Sequence, residues 1–572
     1  MRIYAPLNSF PDPLLQEIEV ATFFQIPSIQ IIGLPSPEVA EARERIRSSI
    51  EASGLKFPKK RIVLNLSPAS VRKRGTGLDL AMSLAILTLG HPSDRHLGAW
   101  GELGLDGTVK AAGQTVRAVY AAWKGGLDTL FLSQDELDLA KLAKTWMMKK
   151  GEFSHSPPSL VPVSTLIEAW KILSSLKVKA GSGFEHLKMD LHDFKGGDDF
   201  KVESEKTELR NKELLAEEIQ IKNLGLMPLS GVMERILGVA VAGHHHLLLL
   251  GPRGTGKTHA IEWLMALQSE PEPQDWLKHH LIAELTGIHQ FSHRKSSSLN
   301  FESKFSAEWV RRVGSTVRPA ALTGGFSHSL IRPGECSLAH GGMLVADEIL
   351  EWSRDSREVL REPLERGKVT VTRTQGVIEF PAQFLLAATG NLCPCGGWSP
   401  QISSFGGAWK EEDRKKSLGV KPSFLRCQCT DLARRSYLSR LSGPFLDRLD
   451  LIAFVTLPSE VPSLSLSAFE RWKFLKGKVQ EVQTQLRKSW GVLPGVLSGE
   501  QLEAVLQDHP LLRESLSYLS LSSLRARHKT LRLAMSLAAW DGFLEIDNVH
   551  LMEAASYRAE RYFGIDEFCR LE

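Results

Sequence analysis

The chain has 572 residues, 42% of them hydrophobic and 24% charged, which suggests about three or four globular domains and excludes wholesale disorder. Its 70 basic and 66 acidic side chains leave a formal charge of +4, which permits nucleic-acid binding without arguing for it, since a local stripe of charge matters more than the total. Six cysteines, four of them clustered, exclude a disulfide framework, and no apolar run approaches the roughly 20 residues that cross a bilayer, so a cytoplasmic protein without a membrane partner is expected.

Met1-Arg2-Ile3-Tyr4-Ala5-Pro6 has no basic head leading into an apolar core, so no secretory signal is expected. Residues 1–180 mix strand-like runs (29–34, 61–66) with helical patterns (38–53, 78–89), and glycines such as Gly33 and Gly54 close them, which reads as a compact α/β domain. Lys59, Lys60, Arg61, Arg72, Lys73 and Arg74 could form a basic patch or an ordinary solvated surface. Residues 181–222, with Gly196-Gly197-Asp198-Asp199 and a dense run of Lys, Glu and Asp, read as a charged linker.

A second α/β domain is expected over 223–458. A helix over 231–242 and a short buried strand over 245–250 lead into Gly251-Pro252-Arg253-Gly254-Thr255-Gly256-Lys257-Thr258, which satisfies G-x-x-x-x-G-K-[ST] at every fixed position. The pattern lies between an apolar strand and a helix starting near His259, where the chemistry requires it. Its glycines let backbone N–H groups turn onto the phosphates of ATP, Lys257 offsets the β/γ-phosphate charge, and the Thr258 hydroxyl takes a Mg²⁺ position. His244-His245-His246, just before this strand, reads as structural.

A second apolar strand, Gly342-Met-Leu-Val-Ala, ends in Asp347 and Glu348. Strand ends often carry acids simply to reach solvent, but beside a phosphate loop Asp347 suits the Mg²⁺ shell and Glu348 the polarising of an attacking water. The alternating run 368–380 predicts a hairpin turning at Gln375-Gly376. A third apolar strand ends at Asn391, which could orient the water, although an isolated Asn at a strand end is more often a turn former. Cys393-Pro-Cys395 and Cys427-Gln-Cys429 are two C-x-C pairs that suit tetrahedral Zn²⁺ or, on the bland reading, four reduced small hydrophobes. Residues 459–572 are helical in pattern, with amphipathic stretches at 469–490, 523–540 and 546–563, and read as an all-α lid.

The blocks 332–348, Leu360-Arg-Glu-Pro-Leu-Glu-Arg-Gly367 and Ser442-Gly-Pro-Phe-Leu-Asp-Arg-Leu-Asp450 resemble the magnesium-chelatase-like AAA+ proteins, and within them the ComM (YifB) competence family. So do Ile32-Gly-Leu-Pro35, Glu41–Ile50, Arg61–Pro68 and Leu524–Arg532, and the resemblance covers nearly the whole chain. It implies a P-loop AAA+ domain with a C-terminal helical lid, preceded by an α/β Lon-protease-like (S5-type) domain. It also implies a homo-hexameric ring in which an arginine completes each ATP site from the neighbouring subunit. Arg448 is similar in place to that finger, Arg440 is the second candidate, and Arg525 resembles the arginine that the lid contributes to the phosphates. In related rings the hairpin over 368–380 projects toward the central pore, which would set Arg373 near its tip and Lys368 at its base as DNA contacts; the alternative is a hairpin packed on a neighbour.

Two departures from the family stand out. The usual Asn-Pro-Cys-Pro-Cys is Asn391-Leu-Cys-Pro-Cys395, and Thr286 to Gly314 lacks the expected basic, histidine-rich run. In the amino-terminal domain, alignment puts Gly77 and Arg117 at the positions of the Ser and Lys of a Lon-type protease, and an always-charged Arg cannot act as the base. Thr76 is a neighbouring hydroxyl with no base evident in the sequence. The domain is therefore expected to be a non-proteolytic interaction or DNA-facing collar. The resemblance implies an ATP-driven motor on single-stranded, duplex or branched DNA, performing branch migration in recombination or natural transformation. The rivals are a metal-insertion ATPase subunit of the magnesium-chelatase type, expected to lack both the fused amino-terminal domain and the cysteine pairs, and an ATP-regulated scaffold.

Overall fold

The computed structural model describes residues 2–7, 12–68, 73, 75–89, 96–150, 153–178, 218, 219, 221, 225, 226, 228–269, 271–286, 309–327, 330–373, 376–398, 427–455, 467–519, 521 and 523–558. The linker expected over 181–222 and the departure expected over 286–314 lie mostly outside these residues. The chain forms two compact units, Met1–Phe200 with Glu272–Arg294, and Lys201–Pro271 with Lys295–Glu572.

The first unit is built on strands β1 (Ile3–Leu7), β2 (Leu14–Phe23), β3 (Ser28–Ile32), β4 (Arg61–Ser67), β5 (Leu97–Trp100), β8 (Thr129–Ser133) and β9 (Ser159–Val163), with a small ribbon of β6 (Glu102–Leu103) and β7 (Val109–Lys110). The large sheet runs β3-β4-β2-β1-β5-β8-β9, antiparallel where β2 meets β1 and β4 and parallel elsewhere. Helix Pro37–Ala52 begins with proline and an acid in its first turn. It buries Val39, Ala42, Ile46, Ser49 and Ile50, one stripe of a 3.6-residue period. Of the residues of the expected basic patch, Lys73 is fully buried and donates to the carbonyl of Pro68, while Arg72 and Arg74 lie outside the described residues.

The segment Glu272–Arg294 belongs to this first unit, although its position in the sequence sets it within the nucleotide domain. Helix Pro273–Ala283 stacks Trp276 on Trp146 with ring centroids 5.5 Å apart. Glu284 then accepts the N–H groups of Val116 and Arg117 at 3.0 and 2.9 Å, satisfying the open end of helix Thr115–Lys124. An apolar helix face finds its partner across long sequence separation here, which local periodicity cannot register.

The second unit holds a five-stranded, all-parallel sheet of order β11-β14-β17-β10-β18, from β10 (Leu247–Leu250), β11 (Val310–Val313), β14 (Met343–Ala346), β17 (Leu385–Gly390) and β18 (Leu451–Phe454). β10, β14 and β17 are buried along their whole length, as parallel strands covered on both faces require. Among the described residues, two hairpins stand apart from this sheet's ladder: β12 (Gly324–Ser327) with β13 (Leu330–Pro333), and β15 (Lys368–Arg373) with β16 (Gly376–Pro381).

Among the described residues, five helices follow: Ala468–Trp490, Gly499–Asp508, Pro510–Tyr518, Leu524–Trp540 and Asn548–Ser556. They share one core with helix Gly231–Gly243, and a Cβ on Gly238 would meet the Trp540 ring at 2.1 Å, so only glycine allows that approach. Helix Leu524–Trp540 is pinned to the sheet by a buried ion pair, Lys529 Nζ to Asp450 Oδ1 at 2.8 Å. His246 N–H supplies the second carboxylate oxygen of Asp450 at 2.8 Å. Burial alone would raise the Asp450 carboxyl, yet Lys529 holds it far below the usual range. Removing one partner of such a pair costs about 3–5 kcal/mol.

Candidate nucleotide-binding site

Parallel strands deliver their carboxyl ends to one edge of the sheet, where ligands of open α/β sheets bind. β10, β14 and β17 end there in Gly251, Asp347 and Asn391. The loop after β10 arches through Gly254 and Gly256, at φ +76° and +87°, where a side chain would strain the backbone. Helix Lys257–Leu267 starts from Gly256 without a side-chain cap, so its first N–H groups and positive dipole end are presented to an anion.

Lys257 Nζ donates to the carbonyls of Gly251 and Pro252 at 2.7 and 2.6 Å and to Asn391 Oδ1 at 3.1 Å. Burial pushes its ammonium down to about 8, and Glu348 partly opposes that shift. A phosphate beside it would favour the charged form further. Thr255 Oγ1 donates to the Pro252 carbonyl at 2.9 Å and stiffens the loop, while Thr258 is exposed on the first helical turn.

Asp347 and Glu348 are joined by a residue that the sequence reading missed. Thr389, buried in β17, accepts the Glu348 N–H at 3.0 Å and donates to Asp347 Oδ1 at 3.3 Å. Glu348 is held at φ +47°, a left-handed conformation unusual for glutamate, and its side chain is exposed. The signal for Thr389 is a lone hydroxyl directly after the apolar run 384–388. Leu392, where the family has Pro, is fully buried, so the departure is absorbed by packing.

The arginines divide. Arg440 Nη1 is held within its own chain by the Leu350 carbonyl and Glu351, both at 3.1 Å. Arg448 precedes β18, which pairs with β10 from Leu247↔Leu451 to Leu250↔Phe454. It therefore sits at the amino edge of the sheet, at least about 10 Å of strand from the loop that follows Leu250. Its guanidinium is buried and held by Glu365, the Pro444 carbonyl and the Arg361 carbonyl, the last at 3.1 Å. Arg525 also pairs with Glu365, so the two arginines meet on one carboxylate. Burial alone would raise that carboxyl, but the two cations hold it below its ordinary range.

Lys368 pairs with Glu379 across the hairpin at 2.7 Å. Arg373 ends β15 opposite Gly376, at the turn, and its side chain lies outside the described residues, as does Gln375. His245 is buried and shares a 2.7 Å hydrogen bond with Ser536, and burial pushes it down to about 4. His246 Nδ1 accepts the N–H of Leu386 at 3.2 Å.

The four cysteines converge. All four sulfurs of Cys393, Cys395, Cys427 and Cys429 lie within 4.8 Å of one another. Three separations among them are 3.4, 3.6 and 3.7 Å. Zn–S bonds of about 2.3 Å at tetrahedral angles separate sulfurs by about 3.8 Å, so the group fits a zinc ion. Sulfurs of Cys395 and Cys393 also accept the N–H groups of Gly397 and Trp398 at 3.4 and 3.2 Å, the outer contacts that orient thiolate ligands.

In the first unit, a Cβ on Gly77 would meet the Trp100 ring at 2.4 Å, leaving no room there for a serine. Arg117 is fully buried and pushed down to about 10 by that burial, still charged at neutral pH. Contrary to the sequence reading, Thr76 has an acceptor, since its hydroxyl donates to Glu102.

A family model described as magnesium chelatase, subunit ChlI, matches residues 230–414 and 419–461, and one described as subunit ChlI of Mg-chelatase matches residues 18–136. The competence protein ComM of Haemophilus influenzae is 30% identical over 567 residues, covering 95% of this chain and 94% of that protein. The uncharacterized proteins YifB of Salmonella typhimurium and Escherichia coli are each 28% identical over 564 and 567 residues, covering 97% of this chain and 96% of theirs.

Proposed function

The chain belongs to the ComM/YifB family of magnesium-chelatase-like proteins and is an AAA+ ATPase, and from that premise we propose that it is a ring-forming motor that drives branched DNA through ATP hydrolysis. The observation that carries the ring is the position of Arg448. It stands at the sheet edge away from its own phosphate loop, with Arg525 beside it on Glu365, so both guanidiniums suit a neighbour's nucleotide. Arg440, half-exposed and paired with Glu351, is the second candidate for the same role. The competence protein among the relatives favours competence as the setting.

In the proposed cycle the loop N–H groups and the Lys257 ammonium bind the phosphates. Thr258 and Asp347 would hold Mg²⁺, which supplies charge neutralisation on the phosphate oxygens. Glu348 accepts the proton of the attacking water, Asn391 orients that water, and Thr389 fixes the backbone from which Glu348 works. The arginine of the next subunit offsets charge developing on the γ-phosphate. We read the four cysteines as a structural zinc site, which supplies cross-linking of two chain segments and no chemistry on ATP. We read the amino-terminal unit as non-proteolytic, on the crowding at Gly77 and the buried charge of Arg117.

The amino-terminal unit does not separate this reading from metal insertion, because a chelatase-subunit model matches residues 18–136; DNA dependence does. Phosphate contacts predict an affinity for DNA that falls steeply with salt and is nearly indifferent to base sequence. With Lys368 engaged by Glu379, Arg373 at the hairpin turn is the main candidate contact. Arg373→Ala is expected to weaken DNA binding uniformly across sequences and to spare basal ATP hydrolysis. Fluorescence anisotropy at several salt concentrations checks this, and unchanged affinity at all of them removes Arg373 from the DNA path.

A further inference from the structure

Three hydrogen bonds tie the phosphate loop to the short segment that carries the first cysteine pair. Gly251 N–H donates to the Gly390 carbonyl at 3.2 Å, Lys257 Nζ donates to Asn391 Oδ1 at 3.1 Å, and Arg253 N–H donates to the Gly396 carbonyl at 2.8 Å. The last of these holds the crest of the loop. It commits the Arg253 N–H to protein, so the shape offered to phosphate by Gly254 to Lys257 depends on where the Gly396 carbonyl points.

That carbonyl is aimed by the cysteine turn. Gly396 is at φ +72°, and its N–H closes the turn on the Cys393 carbonyl at 3.0 Å. The sulfurs of Cys393 and Cys395 grip the next two N–H groups, of Trp398 and Gly397. Cys427 and Cys429 arrive from a distant stretch of sequence, just before helix Asp431–Leu438, which begins at the Thr430 cap. Arg434 of that helix lies over the Trp398 ring at 5.3 Å. A dication among the four sulfurs would tie the two cysteine segments together and fix the turn that aims the Gly396 carbonyl.

We infer that the four-cysteine site braces the phosphate loop, so that the metal held by Cys393, Cys395, Cys427 and Cys429 raises nucleotide affinity through the Gly396 carbonyl and the Arg253 N–H. The brace rests on the zinc reading above and goes beyond it, because a structural zinc could equally staple a surface loop with no effect on ATP. It is a positioning role. None of the four sulfurs is required to touch nucleotide.

Two kinds of variant separate the brace from the zinc. Cys427→Ser and Cys429→Ser remove ligands from the stretch away from the phosphate loop. Gly396→Ala leaves every cysteine in place, but its methyl would meet Arg253 Cγ at 2.4 Å and would strain a left-handed backbone position. Zinc per chain is measured by metal analysis of full-length protein purified without chelator. Affinity is measured as equilibrium binding of a fluorescent ATP analogue with Mg²⁺. The wild type is expected to carry about one zinc per chain. The serine variants are expected to lose zinc and bind the analogue roughly five- to tenfold more weakly, the loss of about one hydrogen bond. Gly396→Ala is expected to keep its zinc and show a similar loss. Serine variants that lose zinc yet bind normally overturn the brace and leave the zinc reading intact. Normal binding by zinc-loaded Gly396→Ala does the same, and it decides the matter if the serine variants fail to fold. Wild-type protein that carries no zinc overturns the zinc reading and the brace with it.

Discussion

Glu348→Gln is expected to bind ATP with near-normal affinity and to hydrolyse it at least about a hundredfold more slowly, the usual worth of a general base. The amide cannot take a proton from water, while the groups that grip phosphate, Lys257 and the loop N–H donors, are untouched by the change. Lys257→Ala should do the reverse and abolish binding, because the phosphates lose their fixed cation. Thr389 sharpens the assignment. Thr389→Val removes both the acceptor for the Glu348 N–H and the donor to Asp347 while keeping the shape of the strand. Its kcat should fall by about tenfold with ATP affinity unchanged, and Thr389→Ser should recover most of the rate. Single-turnover hydrolysis and nucleotide-binding titrations on the same preparations check all four variants. Normal turnover by Glu348→Gln would remove Glu348 from its role.

Arg448→Ala rings are expected to bind nucleotide normally and to lose about a thousandfold in hydrolysis, the lower range for an arginine supplied in trans. Glu365 would keep Arg525 as its partner, so the cluster retains a compensated charge. The informative step is mixing. In rings assembled from equal amounts of Arg448→Ala and Lys257→Ala subunits, about a quarter of the interfaces pair an intact Lys257 with a neighbour's intact Arg448. Hydrolysis should return in proportion to these interfaces, although each parent is inactive. No recovery in rings shown to be mixed would place the completing arginine elsewhere.

What the sequence made legible was whatever is written locally. The phosphate loop, Asp347-Glu348 and Asn391 each close a short apolar strand, and the parallel sheet brings those strand ends to one edge. Two C-x-C pairs were visible as a metal motif, and their sulfurs do converge. What escaped depends on contacts between distant residues. Thr389 reads as one polar residue in a buried strand until Glu348 is found bonded to it. Glu365 reads as an exposed helical acid until Arg448 and Arg525 meet on it. Helix Pro273–Ala283 has an ordinary amphipathic pattern, and nothing local says that its partner is Trp146 of the first unit. The different surroundings of Arg440 and Arg448 escape the sequence for the same reason. Both sit in one stretch of chain, and the geometry differs only because Arg440 turns back onto Glu351 while Arg448 stays at the amino edge of the sheet.

ATP hydrolysis and four-way-junction migration, measured together with single-stranded, duplex and four-way-junction DNA added in turn, decide whether an ATP-driven motor acts on DNA. A motor of this kind is expected to hydrolyse ATP several-fold faster with DNA, most with the junction, and to migrate junctions only with ATP and not as Glu348→Gln. Robust hydrolysis that is indifferent to every form of DNA, with no junction movement, would contradict it.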